Sequence, residues 1–119
     1  MTTRDWQCDN QRQQLVWAAA SGEALRMLEG KWKIVIIVQL FAAKEPLRFS
    51  ELCRRVEGVN QKMLTQQLKE LEKDGILTRT VFPQVPPRVE YALSELGLAL
   101  GPTIECLIDW TFKRRNQSN

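Results

Sequence analysis

The residues best suited to chemistry lie between Val59 and Gly75, and their chemistry is hydrogen bonding and charge neutralisation. Asn60, Gln61, Lys62, Thr65, Gln66 and Lys69 are interleaved with Leu64, Leu68 and Leu71 at i, i+4 and i+7. That leucine spacing marks one apolar stripe of a helix, so the polar set is expected on the opposite face. Asn60 suits the N-cap and Gly75 the position beyond the last turn. Asparagine and glutamine side chains can bond adenine bidentately, threonine can meet the thymine methyl, and lysine can neutralise phosphate or approach guanine. Glu70, Glu72 and Asp74 come later, where such a helix is expected to be leaving a groove.

Catalytic chemistry finds little support. The 119 residues include no histidine, the commonest general base and a common metal ligand. Three cysteines, Cys8, Cys53 and Cys106, are odd in number and widely spaced, which suits neither a disulfide framework nor a zinc site. A glycine-rich phosphate loop and a pair of carboxylates in an evident site are also lacking. We therefore expect no enzyme activity, no cofactor and no metal. Cys53 and Cys106 fall in expected helices, where a small buried thiol is the usual explanation.

The elements that must position the polar helix can be read outward from it. Residues 1–11 lack periodicity and are expected to form a flexible tail, with one domain over 12–119. Leu15, Val16 and Trp17 suggest a short first helix, Ser21 a cap for a following turn, and Ala24, Leu25 and Leu28 an apolar stripe ended by Gly30. The isoleucine- and valine-rich run Lys31 to Ala43 suits a strand by residue type. Its length and the spacing of Trp32, Val35, Ile36 and Leu40 favour a buried helix instead, stopped by Pro46. Ser50 is expected to cap a short helix with Leu52, Cys53 and Val56 on its inner face and Gly58 just beyond it. After Gly75, extended runs Ile76 to Phe82 and Val89 to Leu93 flank Pro83-Gln84-Val85-Pro86-Pro87, a stiff hairpin tip. Ser94-Glu95 opens a final helix carrying Leu96, Leu100, Ile104, Leu107, Ile108 and Trp110, with the basic end Lys113-Arg114-Arg115.

Short helix, tight turn, longer helix and hairpin is the order of a helix-turn-helix followed by a wing. The fold class expected is therefore α+β, mainly helical: a winged helix-turn-helix with a two-stranded wing and terminal dimerisation helices. Charge placement suits a polyanionic partner. From Lys44 to Lys69 six basic residues face three acidic ones, an excess equal to the net +3 of the whole chain. A solvated helical face explains that pattern equally well. Arg79 and Arg88 beside the proline-rich tip tilt the reading toward double-stranded DNA. With Arg48 and Ser50 at the head of the short helix, the expected DNA-contacting set is Arg48, Ser50, Asn60, Gln61, Lys62, Thr65, Gln66, Lys69, Arg79 and Arg88.

Several stretches resemble the HxlR-type winged-helix transcriptional regulators. They are Leu28-Glu29-Gly30-Lys31-Trp32, Arg48-Phe49-Ser50-Glu51-Leu52, the run from Leu64 to Gly75, Pro83 to Tyr91, and Leu93-Ser94-Glu95-Leu96-Gly97, covering roughly residues 22–112. The resemblance implies a bacterial dimeric regulator with its recognition helix over Lys62 to Lys73, the proline-containing hairpin as wing, and terminal helices forming the dimer. Some members sense oxidants through a cysteine about a dozen residues before the glycine-lysine-tryptophan element. Ala18, Ala19 and Ala20 occupy that place here, and Cys8 lies farther upstream.

The apolar residues of the two termini exceed what a small domain easily covers. Leu15, Trp17, Leu100, Ile104, Leu107, Ile108 and Trp110 are the expected homodimer interface; packing within one chain is the plainer alternative. Trp17, Trp32, Trp110 and Phe112 suit a core as well as a ligand cavity, so no effector is assigned. The expected function is that of a cytoplasmic, sequence-specific transcriptional repressor acting without a membrane. The rival reading is a winged-helix module that docks a protein and does not select DNA.

Overall fold

A cap made of side-chain oxygen opens the first helix and explains where that helix begins. In the computed structural model, which describes residues 4–7 and 9–117, Asn10 Oδ1 accepts from the Gln13 N–H at 3.1 Å. The helix α1 runs Gln11–Leu28 without a break. Ser21 is thus no cap. It sits inside α1 and donates its hydroxyl to the Trp17 carbonyl at 2.9 Å, the back-bonding open to a helical serine. The chain divides into two compact units, Met1–Gly30 and Lys31–Asn119. In the first, no residue of α1 is buried, while Trp6 meets Trp17 edge-on with centroids 5.4 Å apart.

The second unit builds the core. Helix α2, Lys33–Ala43, is the buried helix expected from spacing, with Ile36, Ile37 and Leu40 inward. It ends at Lys44, whose left-handed backbone (φ 60°) is unusual for a residue with a side chain. Strand β1, Leu47–Arg48, leads into α3, Phe49–Arg55. The N-cap of α3 is Arg48 and not Ser50: the Glu51 carboxylate reaches back and accepts from the Arg48 N–H at 3.0 Å, which fixes the entry two residues earlier. Gly58, at φ 88°, makes the turn into α4, Gln61–Lys73, and Gly75, at φ 80°, makes the exit.

Strands β2, Leu77–Phe82, and β3, Arg88–Leu93, form the hairpin. The expected two-stranded wing is part of a three-stranded antiparallel sheet of order β1-β3-β2, because Leu47 and Arg48 pair with Tyr91 and Glu90. The final helix is also two helices, α5, Glu95–Leu98, and α6, Gly101–Gln117. Ser94 caps α5, accepting from the Gly97 N–H at 3.0 Å, and its hydroxyl lies 2.6 Å from the Gly75 carbonyl. Gly97 is required there, since a Cβ would collide with the Ile76 carbonyl. The core closes with Leu47, Leu52, Val56, Leu64, Leu68, Leu71, Ile76, Leu77 and Ile104, each at most 7% exposed. Fully burying a side chain of this kind stabilises by about 1.5–3 kcal/mol.

Candidate nucleic-acid interface

The stability of α4 is settled on its inner face, which frees its outer face for contact. Leu64, Leu68 and Leu71 are at most 1% exposed, and the helix lies against β2. At its start Asn60 Oδ1 accepts from the Met63 N–H at 2.7 Å, so that oxygen serves the cap. Gln61, Lys62, Thr65, Gln66 and Lys69 are all exposed and line one shallow groove of about 600 Å³. Thr65 donates its hydroxyl to the Gln61 carbonyl at 2.8 Å, leaving its oxygen lone pairs outward-capable as acceptors.

One member of this groove was not expected. Glu70 lines it too, rather than lying where the helix has turned away. Its partner is Lys33 of α2, which is 7% exposed and places Nζ 3.0 Å from Glu70 Oε1. The Lys33 hydrogen bond and charge, with a smaller contribution from the charge of Lys73, hold the Glu70 carboxyl below its ordinary pKa, against opposing desolvation. A lysine one residue after Trp32 in an apolar run gave a signal of sorts, since an ammonium at a core position needs a partner. The partner is 37 residues away, so no local pattern names it.

A second polar depression, of about 530 Å³, forms where β1, α3 and β3 meet. It brings together the expected Arg48, Ser50 and Arg88 and adds Arg54, with Glu45, Glu51 and Glu90 among them. Arg88 is committed within it: Nε donates to Glu90 Oε2 at 2.7 Å, Nη2 pairs with the same oxygen, and the guanidinium lies 5.2 Å from the Phe82 ring centre. Arg79 is not part of this cluster. It pairs with Tyr91 across the ribbon while Arg88 pairs with Phe82, an odd number of residues along, so the pleat puts the two arginines on opposite faces.

The expected dimer residues also divide. Ile104 is 7% exposed and belongs to the core of its own unit, and Leu100 is half-buried. Leu107, Ile108 and Trp110 are 46%, 43% and 63% exposed, joined by Phe112 at 52%. Within the first unit Leu15 is 63% exposed and Trp17 half-buried. Cys53 is half-buried, whereas Cys106 is exposed on α6 and so is not the buried thiol expected; Cys8 lies outside the described residues. Among the described residues, no group of three or more His, Cys, Asp or Glu side chains is placed to hold a metal ion, and no helix is long and apolar enough to cross a membrane.

A recognition-type helix with a buried leucine face, preceded by a short helix and followed by a hairpin, defines a winged helix-turn-helix protein. The chain belongs to the HxlR-like helix-turn-helix family, whose profile matches residues 27–119. It is 46% identical over 95 residues to a helix-turn-helix-type transcriptional regulator of Halalkalibacterium halodurans, covering 80% of this chain and 83% of that one. It is 50% identical over 86 residues to the helix-turn-helix-type transcriptional regulator YtcD of Bacillus subtilis, covering 72% of this chain and 67% of the other. Among solved structures, a MarR-family transcriptional regulator from Enterococcus faecalis V583 superposes with a TM-score of 0.76 at 34% identity, over 98% of this chain and all of that one. The protein is thus a DNA-binding transcriptional regulator and not an enzyme.

Proposed function

We propose that the protein is a homodimeric, sequence-specific repressor that inserts α4 into the major groove and lays its wing along the DNA backbone or the minor groove. The observation that carries this reading is the outer face of α4, where Gln61, Lys62, Thr65, Gln66 and Lys69 are exposed together above a fully buried leucine face. Amide and hydroxyl groups read base edges there, and the lysines hold phosphates. Arg48 and Ser50 at the head of α3, Arg54 in its last turn and Arg79 on the hairpin extend the phosphate contacts to either side.

The dimer follows from apolar surface. A helix of 18 residues with none buried, α1, and a 17-residue helix with only Ile104 buried, α6, both expose large apolar side chains. Two-fold pairing through such surfaces sets recognition helices about 34 Å apart, one turn of DNA. Repression follows from occlusion of a promoter, which requires no activation surface, and a DNA partner puts the protein in the cytoplasm. Transcription assays that show only stimulation would overturn the repressor role.

The test is a double substitution, Gln66→Ala with Lys69→Ala, in the full chain. Operator binding is expected to vanish while sedimentation still reports a dimer. Weak and unselective DNA binding by the unsubstituted protein would favour the protein-docking module instead.

A further inference from the structure

The first residues of α2 are tied to α4 at two places. Lys33 sends its buried ammonium to within 3.0 Å of Glu70 Oε1, toward the C-terminal end of α4. Trp32, one residue earlier and half-buried, lies against the turn that opens the same helix: a Cβ built on Gly58 would stand 3.7 Å from Trp32 Cη2, in ordinary van der Waals contact. Two neighbouring side chains thus meet the helix that carries Gln61, Lys62, Thr65, Gln66 and Lys69 at its entry and near its exit. The next residue outward is Lys31. It is exposed, and its Nζ lies 4.7 Å from the centre of the Trp32 ring, within the range of a cation–π contact. Among the described residues no carboxylate lies within ion-pairing distance of it, the two ion pairs being those of Lys33 and Arg88. An ammonium has three N–H donors, and an aromatic face covers only one side of it. The other side is open to an anion.

We propose that Lys31 is a further phosphate-contacting residue of the interface and that Trp32 is its positioning residue, seating the ammonium beside the entry of α4. This rests on α4 being the recognition helix. A helix that enters the major groove by its N-terminal half brings the turn before it close to a sugar–phosphate strand, which there offers a dense line of anionic oxygen. A lysine free to sample its rotamers loses that freedom on binding, and one already held against an indole loses less. A single ammonium on a phosphate oxygen selects no base, so Lys31 adds affinity at every sequence alike. It lies upstream of the basic stretch from Lys44 to Lys69, and only the contact of Trp32 with the turn at Gly58 brings it to α4.

The experiment uses the full chain and an operator selected from a randomised duplex library by the unsubstituted protein. Affinity is measured against salt for that operator and its single-base variants. Lys31→Gln is expected to weaken binding roughly fivefold at physiological salt, equally for all of these duplexes, and to reduce the slope of log affinity against log salt by about 0.9, the share of one phosphate contact. The side chain is exposed, so the melting temperature is expected to stay unchanged. Lys31→Arg is expected to restore both affinity and slope. Trp32→Phe keeps an aromatic seat and is expected to bind nearly as the unsubstituted protein does, whereas in a Trp32→Leu background Lys31→Gln is expected to cost less than it does alone, the coupling of residues that act together. Lys113→Gln, in the C-terminal half of α6, removes the same charge away from α4 and is expected to leave the slope as it was. An unchanged slope in Lys31→Gln, an equal change in Lys113→Gln, or a loss confined to one operator position would overturn the proposal and leave the reading of α4 standing. An unsubstituted protein that selects no sequence would overturn both.

Discussion

Helices α4 and α6 are of similar length but are finished differently. In α4 three leucines are at most 1% exposed and the outer face is polar. In α6 one residue, Ile104, is buried, while Leu107, Ile108, Trp110 and Phe112 are between 43% and 63% exposed. The first helix has its apolar needs met inside its own chain, so its remaining face is free to be polar and to read a ligand. The second has an apolar surface that its own unit does not cover, which is why we assign it to a second copy. On the proposed reading, one helix is stabilised by folding and left available for DNA, and the other is stabilised by association.

The comparison can be broken by substitution. Leu68→Ala in α4 is expected to have the largest effect, a loss of about 2–5 kcal/mol in chemical denaturation, because it leaves a cavity among Leu64 and Leu71. Trp110→Ala on α6 is expected to leave the protomer folded by circular dichroism and to weaken the dimer by roughly thirtyfold in sedimentation, the effect of removing an aromatic anchor worth about 2 kcal/mol. An unchanged dimer would move the interface off α6. Asn60→Ala is expected to cost about 1 kcal/mol by loss of the cap to Met63, sharpening the claim that this side chain serves α4 before it serves DNA.

The smallest effect is a pH dependence. Glu70 has its folded pKa lowered, first by the hydrogen bond from Lys33, so its contribution is fully present above the unfolded carboxylate value and is lost as pH falls through the depressed folded value. Melting temperature in acid is therefore expected to fall less steeply in Glu70→Gln than in the unsubstituted protein, which checks that the pair under α4 is ionised at neutral pH. Solvent screening keeps the difference modest, because Glu70 is substantially exposed.

Much of the fold was legible because the signals are local. Asn60, the leucine spacing and Gly75 bound α4 within the sequence itself, and Pro83 to Pro87 mark the hairpin tip. What escaped depends on distant partners. A strand as short as Leu47–Arg48 exists only through pairing with Glu90 and Tyr91. The break between α5 and α6 was hidden because Leu96, Leu100 and Ile104 keep helical spacing straight through it, while the close approach of Gly97 to Ile76 is a tertiary fact. In the interface, residue type picked out Gln61, Lys62, Thr65, Gln66 and Lys69, but not the pleat that separates Arg79 from Arg88, nor the Lys33 to Glu70 link.

The most direct test of α4 as a reader of sequence is selection from a randomised DNA duplex library, followed by fluorescence anisotropy on the enriched and scrambled duplexes at physiological salt. The account predicts one enriched sequence, bound about a thousandfold or more tightly than the scrambled duplex. Failure to enrich any sequence, with equal and steeply salt-sensitive binding to both duplexes, would contradict it and leave only phosphate attraction.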